Sequence, residues 1–317
     1  MIIRPCYQIL FLLALVVLSA CVREELLDDI QSDYFEPQLV IHSLITPEDS
    51  VLVNVGRSGP LGDSLQTSKV TDASVTISNG RGRTAQLPLL RENFYTTVYG
   101  ISQQDFSIRA GATYTLSVTH PELPTAEASC TVPGTATPLE AVRYVGKSRV
   151  PDDGRFTYDV QVSWYDSGPY LHRVYFSGDY ATTNPKDGSI LEQGEYQNRQ
   201  DPFHGIEQID SLFTYYDSFF SGEIIYTDTL PNGTIVSSEQ IEAPTTYQLA
   251  TYLVTPDEHM ARYQASQEIF AQNESELNSD SFIGLYRSVI PEYTNVRGGL
   301  GVFGAYLRSD PVYLTLE

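Results

Sequence analysis

Thiols, imidazoles, paired carboxylates and glycine-rich turns are the features able to carry chemistry in this chain, and their spacing decides what each can do. Cys21 closes the run Leu18-Ser19-Ala20-Cys21, behind Arg4 and an uninterrupted apolar stretch from Ile9 to Leu18. A basic start, an apolar run and small residues before a cut mark a secretory signal peptide, so residues 1–20 are expected to leave and place a thiol at the new N-terminus. The apolar run is too short for a spanning helix, which needs about 17–25 residues. Gly299-Leu300-Gly301-Val302-Phe303-Gly304 fits the G-x-G-x-x-G pattern of a dinucleotide site, which must leave a strand and open a helix facing the pyrophosphate. Only 13 residues follow, rich in β-formers and broken by Pro311. The glycines are therefore read as a bulge or close backbone packing in a terminal strand pair. His42, His120, His172, His204 and His259 are scattered, with no second His or Cys at metal-ligand spacing. Gly-x-Ser-x-Gly, His-Glu-x-x-His and phosphate-loop patterns do not occur. Acid pairs such as Asp152-Asp153 sit in turn sequences, where carboxylates cap the backbone, and nothing favours a glycosidase pair. No enzymatic activity, metal or cofactor is expected.

Leu18-Ser19-Ala20-Cys21 resembles the lipobox of bacterial lipoproteins, in which the cysteine thiol takes a diacylglycerol and the cysteine becomes the N-terminus. That resemblance implies an acylated Cys21 and attachment to a membrane through lipid, each buried CH₂ contributing about 0.8 kcal/mol. With Cys6 discarded and Cys21 acylated, Cys130 stands alone and no intramolecular disulfide is expected. It is read as a small buried residue. Residues 21–36 are the lipidated cysteine and an acidic tether, VREELLDDIQSDYFE, with little periodic apolar pattern. Glu24 and Glu25, close behind the cysteine, resemble the export signal that sends Bacteroidetes lipoproteins to the outer face of the outer membrane.

The chain carries 19 Lys and Arg against 40 Asp and Glu, a net charge of −21. Such a balance excludes nucleic acid as a partner, because affinity for phosphate backbones comes from cationic contacts. It equally opposes docking on an anionic lipid face.

The elements that must position any site read as mainly β. Tyr alone numbers 22, and turn residues recur every ten or so positions. Gln38–Ile45, Val51–Arg57, Ala73–Ser78, Arg83–Leu89, Phe94–Tyr99, Thr113–Thr119 and Ala126–Val132 make seven short strands, with a hairpin turn at Asn79-Gly80. Residues 37–133 thus read as an immunoglobulin-like β-sandwich lacking the Cys–Trp–Cys core. Pro133–Leu139 marks a boundary. Residues 134–317 read as a larger antiparallel β-sandwich or barrel-like domain with strands at Phe156–Tyr165, Leu171–Ser177, Phe219–Thr229, Ile235–Ile241 and Thr246–Val254. Between Gly178 and Asp217 the apolar density falls, and a long loop is expected. An amphipathic helix over 256–277 is signalled by Thr255 as N-cap, Pro256 in the first turn and Glu258 completing a capping box. Met260, Tyr263, Phe270 and Leu277 form its apolar stripe.

Tyr196, Phe203, Phe213, Tyr215, Tyr216, Phe219 and Phe220 concentrate aromatic rings in and beside that loop. Exposed rings of this kind stack on sugars or anchor a partner, and buried ones are β core. Asp-Ser/Thr-aliphatic tripeptides at Ser50, Ser64, Ser211 and Thr229 resemble the acceptor used for O-glycosylation in Bacteroidetes, and at least one is expected to carry glycan.

A wider resemblance rests on the lipobox-like run with Pro37-x-Leu39-Val40-Ile41, on Asp72-Ala73-Ser74-Val75-Thr76-Ile77, and on Gly111-x-x-Tyr114-x-Leu116-x-Val118. Its most specific part is Thr294-Asn295-Val296-x-Gly298-Gly299-Leu300-Gly301-Val302-Phe303-Gly304. These features resemble a family of Bacteroidetes outer-membrane lipoproteins of unknown molecular function, encoded beside TonB-dependent receptors. The likeness covers most of residues 21–317 and is weakest around 180–215. It implies an accessory partner of a TonB-dependent outer-membrane receptor in nutrient uptake, with a glycan or peptide as ligand, and assigns no catalytic residue. The alternative is a structural or adhesive envelope lipoprotein that binds glycan or protein without transport.

Overall fold

The computed structural model describes residues 36–59, 69–92, 96–150, 155–166, 168, 172–199, 206–229, 231, 235–277 and 293–317. These residues are mainly β, in several sheets of which none closes into a barrel, with one helix. In chain order the first strands are β1 (Leu39–Ile45), β2 (Val51–Arg57), β3 (Ser74–Asn79), β4 (Thr84–Leu87), β5 (Leu89–Glu92), β6 (Thr97–Ile101), β7 (Thr113–Thr119) and β8 (Ala126–Thr131). Then come β9 (Ala141–Arg149), β10 (Phe156–Tyr165), β11 (Arg173–Thr183), β12 (Ile190–Arg199), β13 (Ile206–Ile209) and β14 (Leu212–Phe220). The chain closes with β15 (Gly222–Thr229), β16 (Ile235–Ala243), β17 (Thr245–Pro256), α1 (Glu258–Leu277), β18 (Gly299–Arg308) and β19 (Val312–Leu316).

One nine-stranded sheet organises the rest, in the order β12-β11-β17-β18-β1-β2-β6-β5, with β19 also on β17. Its centre is the parallel pair of β1 and β18, Leu39 opposite Gly299 through Ile45 opposite Ala305. Period-2 alternation turns Leu39, Ile41 and Ile45 of β1, and Val51, Val53 and Val55 of β2, to one face. There they meet Val75, Ile77, Leu116, Val118 and Ala128 of the sheet β4-β3-β7-β8 and form a first core. Thr255 pairs with Leu307, so odd-numbered β17 residues share that face. Leu249 and Leu253 then pack with Trp164, Val160, Phe176 and Phe219 beneath the sheet β13-β14-β10-β9, forming a second core. Two small sheets thus cover one face of the large sheet, and α1 lies against β18 on the other, where His42 meets Tyr263. β15 and β16 form a separate two-stranded ribbon.

Several expectations are corrected. The run Arg83–Leu89 is two strands, because Pro88 cannot donate to a ladder; β4 pairs with β3 and β5 with β6. Residues 178–217 are largely strand: β11 and β12 pair through a tight turn held by Asn184 and Asp187 side chains. The outer strand β12 is exposed from Ile190 to Glu195 apart from Gly194, so it carries no burial alternation to read. Gly299–Arg308 is not in a terminal pair but sits mid-sheet between β1 and β17. The glycines there do permit close backbone packing: Gly301 has φ 103°, and a Cβ on it would run into the Ile41 carbonyl.

The helix begins at Glu258, and its cap is Asp257 rather than Thr255. Asp257 Oδ1 accepts the Met260 N–H at 2.8 Å, while Thr255 is still in β17 and its hydroxyl accepts the Thr137 amide. Burial pushes the Asp257 carboxyl up, opposed by the amides of Met260 and Ala305, and its Oδ2 has no partner among the described residues. Asp257→Ala should therefore cost about 1 kcal/mol in urea unfolding, whereas Asp257→Asn, an equally good cap without the buried charge, should cost less at pH 7. Equal losses in both variants would show that the charge, not the cap, matters there.

Candidate functional site

A cavity of about 480 Å³ lies between α1 and the open face of the large sheet. Five neighbouring strands build its floor, turning side chains outward by alternation, among them His42 of β1, Asn54 of β2, Tyr306 and Arg308 of β18, Val254 of β17, and Arg173 of β11. The helix supplies the wall through Tyr263, Gln264 and Gln267. It comes close because Gly304 has no side chain; a Cβ there would stand 3.0 Å from the Met260 amide. Met260 and Tyr263 of the expected apolar stripe are buried at this contact, while the Phe270 and Leu277 side chains lie outside the described ones.

Charged groups in the cavity are arranged in a row. Arg173 is opposite Val254, and Val254 is opposite Arg308, so the two arginines flank one apolar residue on one face. Arg173 Nη2 donates to Glu268 Oε1 at 3.0 Å. Arg308 Nη2 donates to Asp49 Oδ2 at 2.5 Å and to the Tyr306 hydroxyl at 3.1 Å.

The aromatic group expected near residues 196–220 divides between core and surface. Tyr215 and Phe219 are buried in the second core, and Tyr196 packs over Phe219 and Tyr247 at centroid distances of 5.2 and 5.6 Å. Phe213 stacks on Trp164 at 5.7 Å. Tyr216 and Phe220 point outward, each 45% exposed. The Tyr216 hydroxyl accepts from Gln161, and the Arg155 guanidinium lies over the Phe220 ring. Ser50 and Ser211 are exposed in turns, and Thr229 ends β15. Cys21, Ser64 and Phe203 lie outside the described residues. Cys130 is buried in the first core, where desolvation holds its thiol well above the usual range.

A second polar arrangement escapes sequence reading because its members are distant in the chain. The Thr137 hydroxyl lies 2.8 Å from His172 Nε2, and His172 Nδ1 lies 2.6 Å from Asp166 Oδ2, close but poorly aligned as a hydrogen bond. Hydroxyl, imidazole and carboxylate in this order are the parts of a nucleophilic triad. None of the three lines the cavity, however, and the Thr137 amide is committed to Thr255 Oγ1. The line is a clasp that fastens the segment after β8 to the ends of β10 and β11.

Burial pushes the His172 imidazole below its usual range, against the raising effect of Asp166. The unfolded chain then binds the proton more readily, so this contribution to stability is present above the ordinary histidine pKa of about 6.5 and is lost as pH falls from there to the folded pKa. Thermal unfolding between pH 7.5 and about 5 should show a steeper loss in wild type than in His172→Asn. Parallel curves would sink this assignment.

The sequence model of the domain of unknown function DUF4249 matches residues 23–310. The chain belongs to the DUF4249 family. No curated protein matches it. Membership of DUF4249, a family without an assigned activity, agrees with the expected lack of a known molecular function. The Asn295–Gly304 stretch acts structurally in this DUF4249 chain. Asn295 brackets Phe303, donating to its carbonyl at 2.8 Å and accepting its amide at 3.0 Å. Among the described residues no group of three or more His, Cys, Asp or Glu could hold a metal, and no helix is long and apolar enough to cross a membrane.

Proposed function

We propose that the protein is an outer-membrane lipoprotein, anchored through Cys21 and exposed at the cell surface, that captures a ligand for a TonB-dependent receptor beside it. The cavity under α1 carries this reading: about 480 Å³ falls within the roughly 300–1,000 Å³ of small-molecule sites, and its lining mixes rings with polar side chains. The lipobox-like run ending at Cys21, with Glu24 and Glu25 behind it, supports the anchor and its outward orientation. The first core, between β4-β3-β7-β8 and the β1 side of the large sheet, supports reading residues 37–133 as an immunoglobulin-like sandwich followed by a second β domain.

Cys21→Ala should abolish incorporation of an alkynyl fatty acid and release the protein from the membrane fraction. A variant that is still acylated and membrane-bound would refute the anchor. Affinity purification of the tagged native protein from detergent extracts should bring down a receptor barrel. A preparation that reproducibly lacks one would overturn the partnership and leave the structural or adhesive reading.

A further inference from the structure

We propose that the cavity under α1 binds a small monoanionic ligand through its carboxylate, gripped between Arg173 and Arg308 across Val254. This deepens the ligand-capture reading and rests on it for its physiological meaning. Strands in a sheet are about 4.8 Å apart, so two arginines in one row with a single strand between them start about 10 Å apart. Their side chains can then close on one planar group between them.

Each guanidinium is steadied from outside the cavity, by Glu268 on the helix and by Asp49 before β2. Neither acid lines the cavity, and no Asp or Glu is among its described lining residues. Arg308 uses one terminal nitrogen for both Asp49 and Tyr306, and among the described residues its Nε and Nη1 are left for another acceptor. The planar fork of arginine matches a carboxylate in two parallel hydrogen bonds. Glu268 and Asp49 each offset one of the two guanidinium charges. A single negative charge is then accommodated more readily than a phosphate, which carries nearly two. Val254, Tyr175 and Tyr263 beside the row offer apolar and ring surface to the body of the ligand. A free organic acid and the C-terminus of a short peptide present the same chemistry.

Calorimetric titration of the mature chain in detergent tests this without any receptor, so a failed receptor purification leaves its result readable. The probes are 3-phenylpropionate and a phenylalanine-terminated tripeptide, each against its own amide, with glucose as a neutral control. At least one carboxylate should bind roughly ten-fold or more tightly than its amide, and Arg308→Gln should remove about that advantage, since a charge-assisted pair is worth about a factor of ten or more. Preference for the tripeptide over phenylpropionate would assign the ligand to peptides, and the reverse to free acids. Amides or glucose binding as well as carboxylates would overturn the proposal. So would no binding by any probe, or unchanged affinity in both Arg308→Gln and Arg173→Gln with circular dichroism intact.

Discussion

Gly301→Ala should destabilise the protein by about 2–5 kcal/mol, and Gly301→Val should prevent it from folding. Gly301 has φ 103°, and an added Cβ would run into the carbonyl oxygen of Ile41, with the Ile41 carbonyl carbon only 2.9 Å away. A residue with a Cβ pays about 1–2 kcal/mol for a left-handed backbone. Forcing volume into a packed interior adds about 1–3 kcal/mol. Relief would need β1 and β18 to part, yet they are paired over seven residues in the middle of the large sheet. Gly188→Ala is the control: its φ is 71°, but nothing lies within 4 Å of an added Cβ, so only the backbone term of about 1–2 kcal/mol should appear. Against a typical total of about 5–15 kcal/mol, the difference should be plain in urea unfolding midpoints. Equal shifts in the two alanine variants would mean that β18 can move away from β1.

The same pair shows how far the sequence can be read. β1, β2 and β7 alternate apolar with polar residues because one face of each is buried, and their limits were legible to within a residue or so. The Asn79 turn was legible because its side chain accepts the Arg81 and Arg83 amides, a local arrangement. The pairing of residues 39–45 with 299–305 leaves no local trace, since nothing in either segment names its partner. β12 was illegible because a largely exposed strand needs no alternation. The helix cap was misplaced because Thr255 and Asp257 are both good caps, and only the pairing of β17 with β18 keeps Thr255 in a strand. The cavity was hidden for a related reason: its arginines lie on strands far apart in the chain and become neighbours only through Val254. The proposed role of Cys21 rests on sequence alone, because the pattern of a cleavage signal is linear.

Trp164→Ala should cost about 3–5 kcal/mol, the range for removing a large buried aromatic side chain. Trp164 is 1% exposed and stacked on Phe213, and its ring N–H has no hydrogen-bond partner among the described residues, so the loss is one of packing. The variant also asks whether the two cores melt together. β17 contributes Leu249 and Leu253 to the second core, and its last three residues pair with β18, which contributes Phe303 and Ala305 to the first. The His172 clasp adds a second tie from the segment after β8. Damage under Trp164 should therefore be felt in the first core. Two native probes separate the cores: Trp164 is the one tryptophan, and Cys130 is a buried thiol in the first core. In wild type, tryptophan fluorescence and Cys130 reactivity should report the same urea midpoint. In Trp164→Ala, the Cys130 midpoint should fall as far as the midpoint seen by circular dichroism. If Cys130 kept its wild-type midpoint, the three residue pairs between β17 and β18 would be a hinge between independent units, not a cooperative seam.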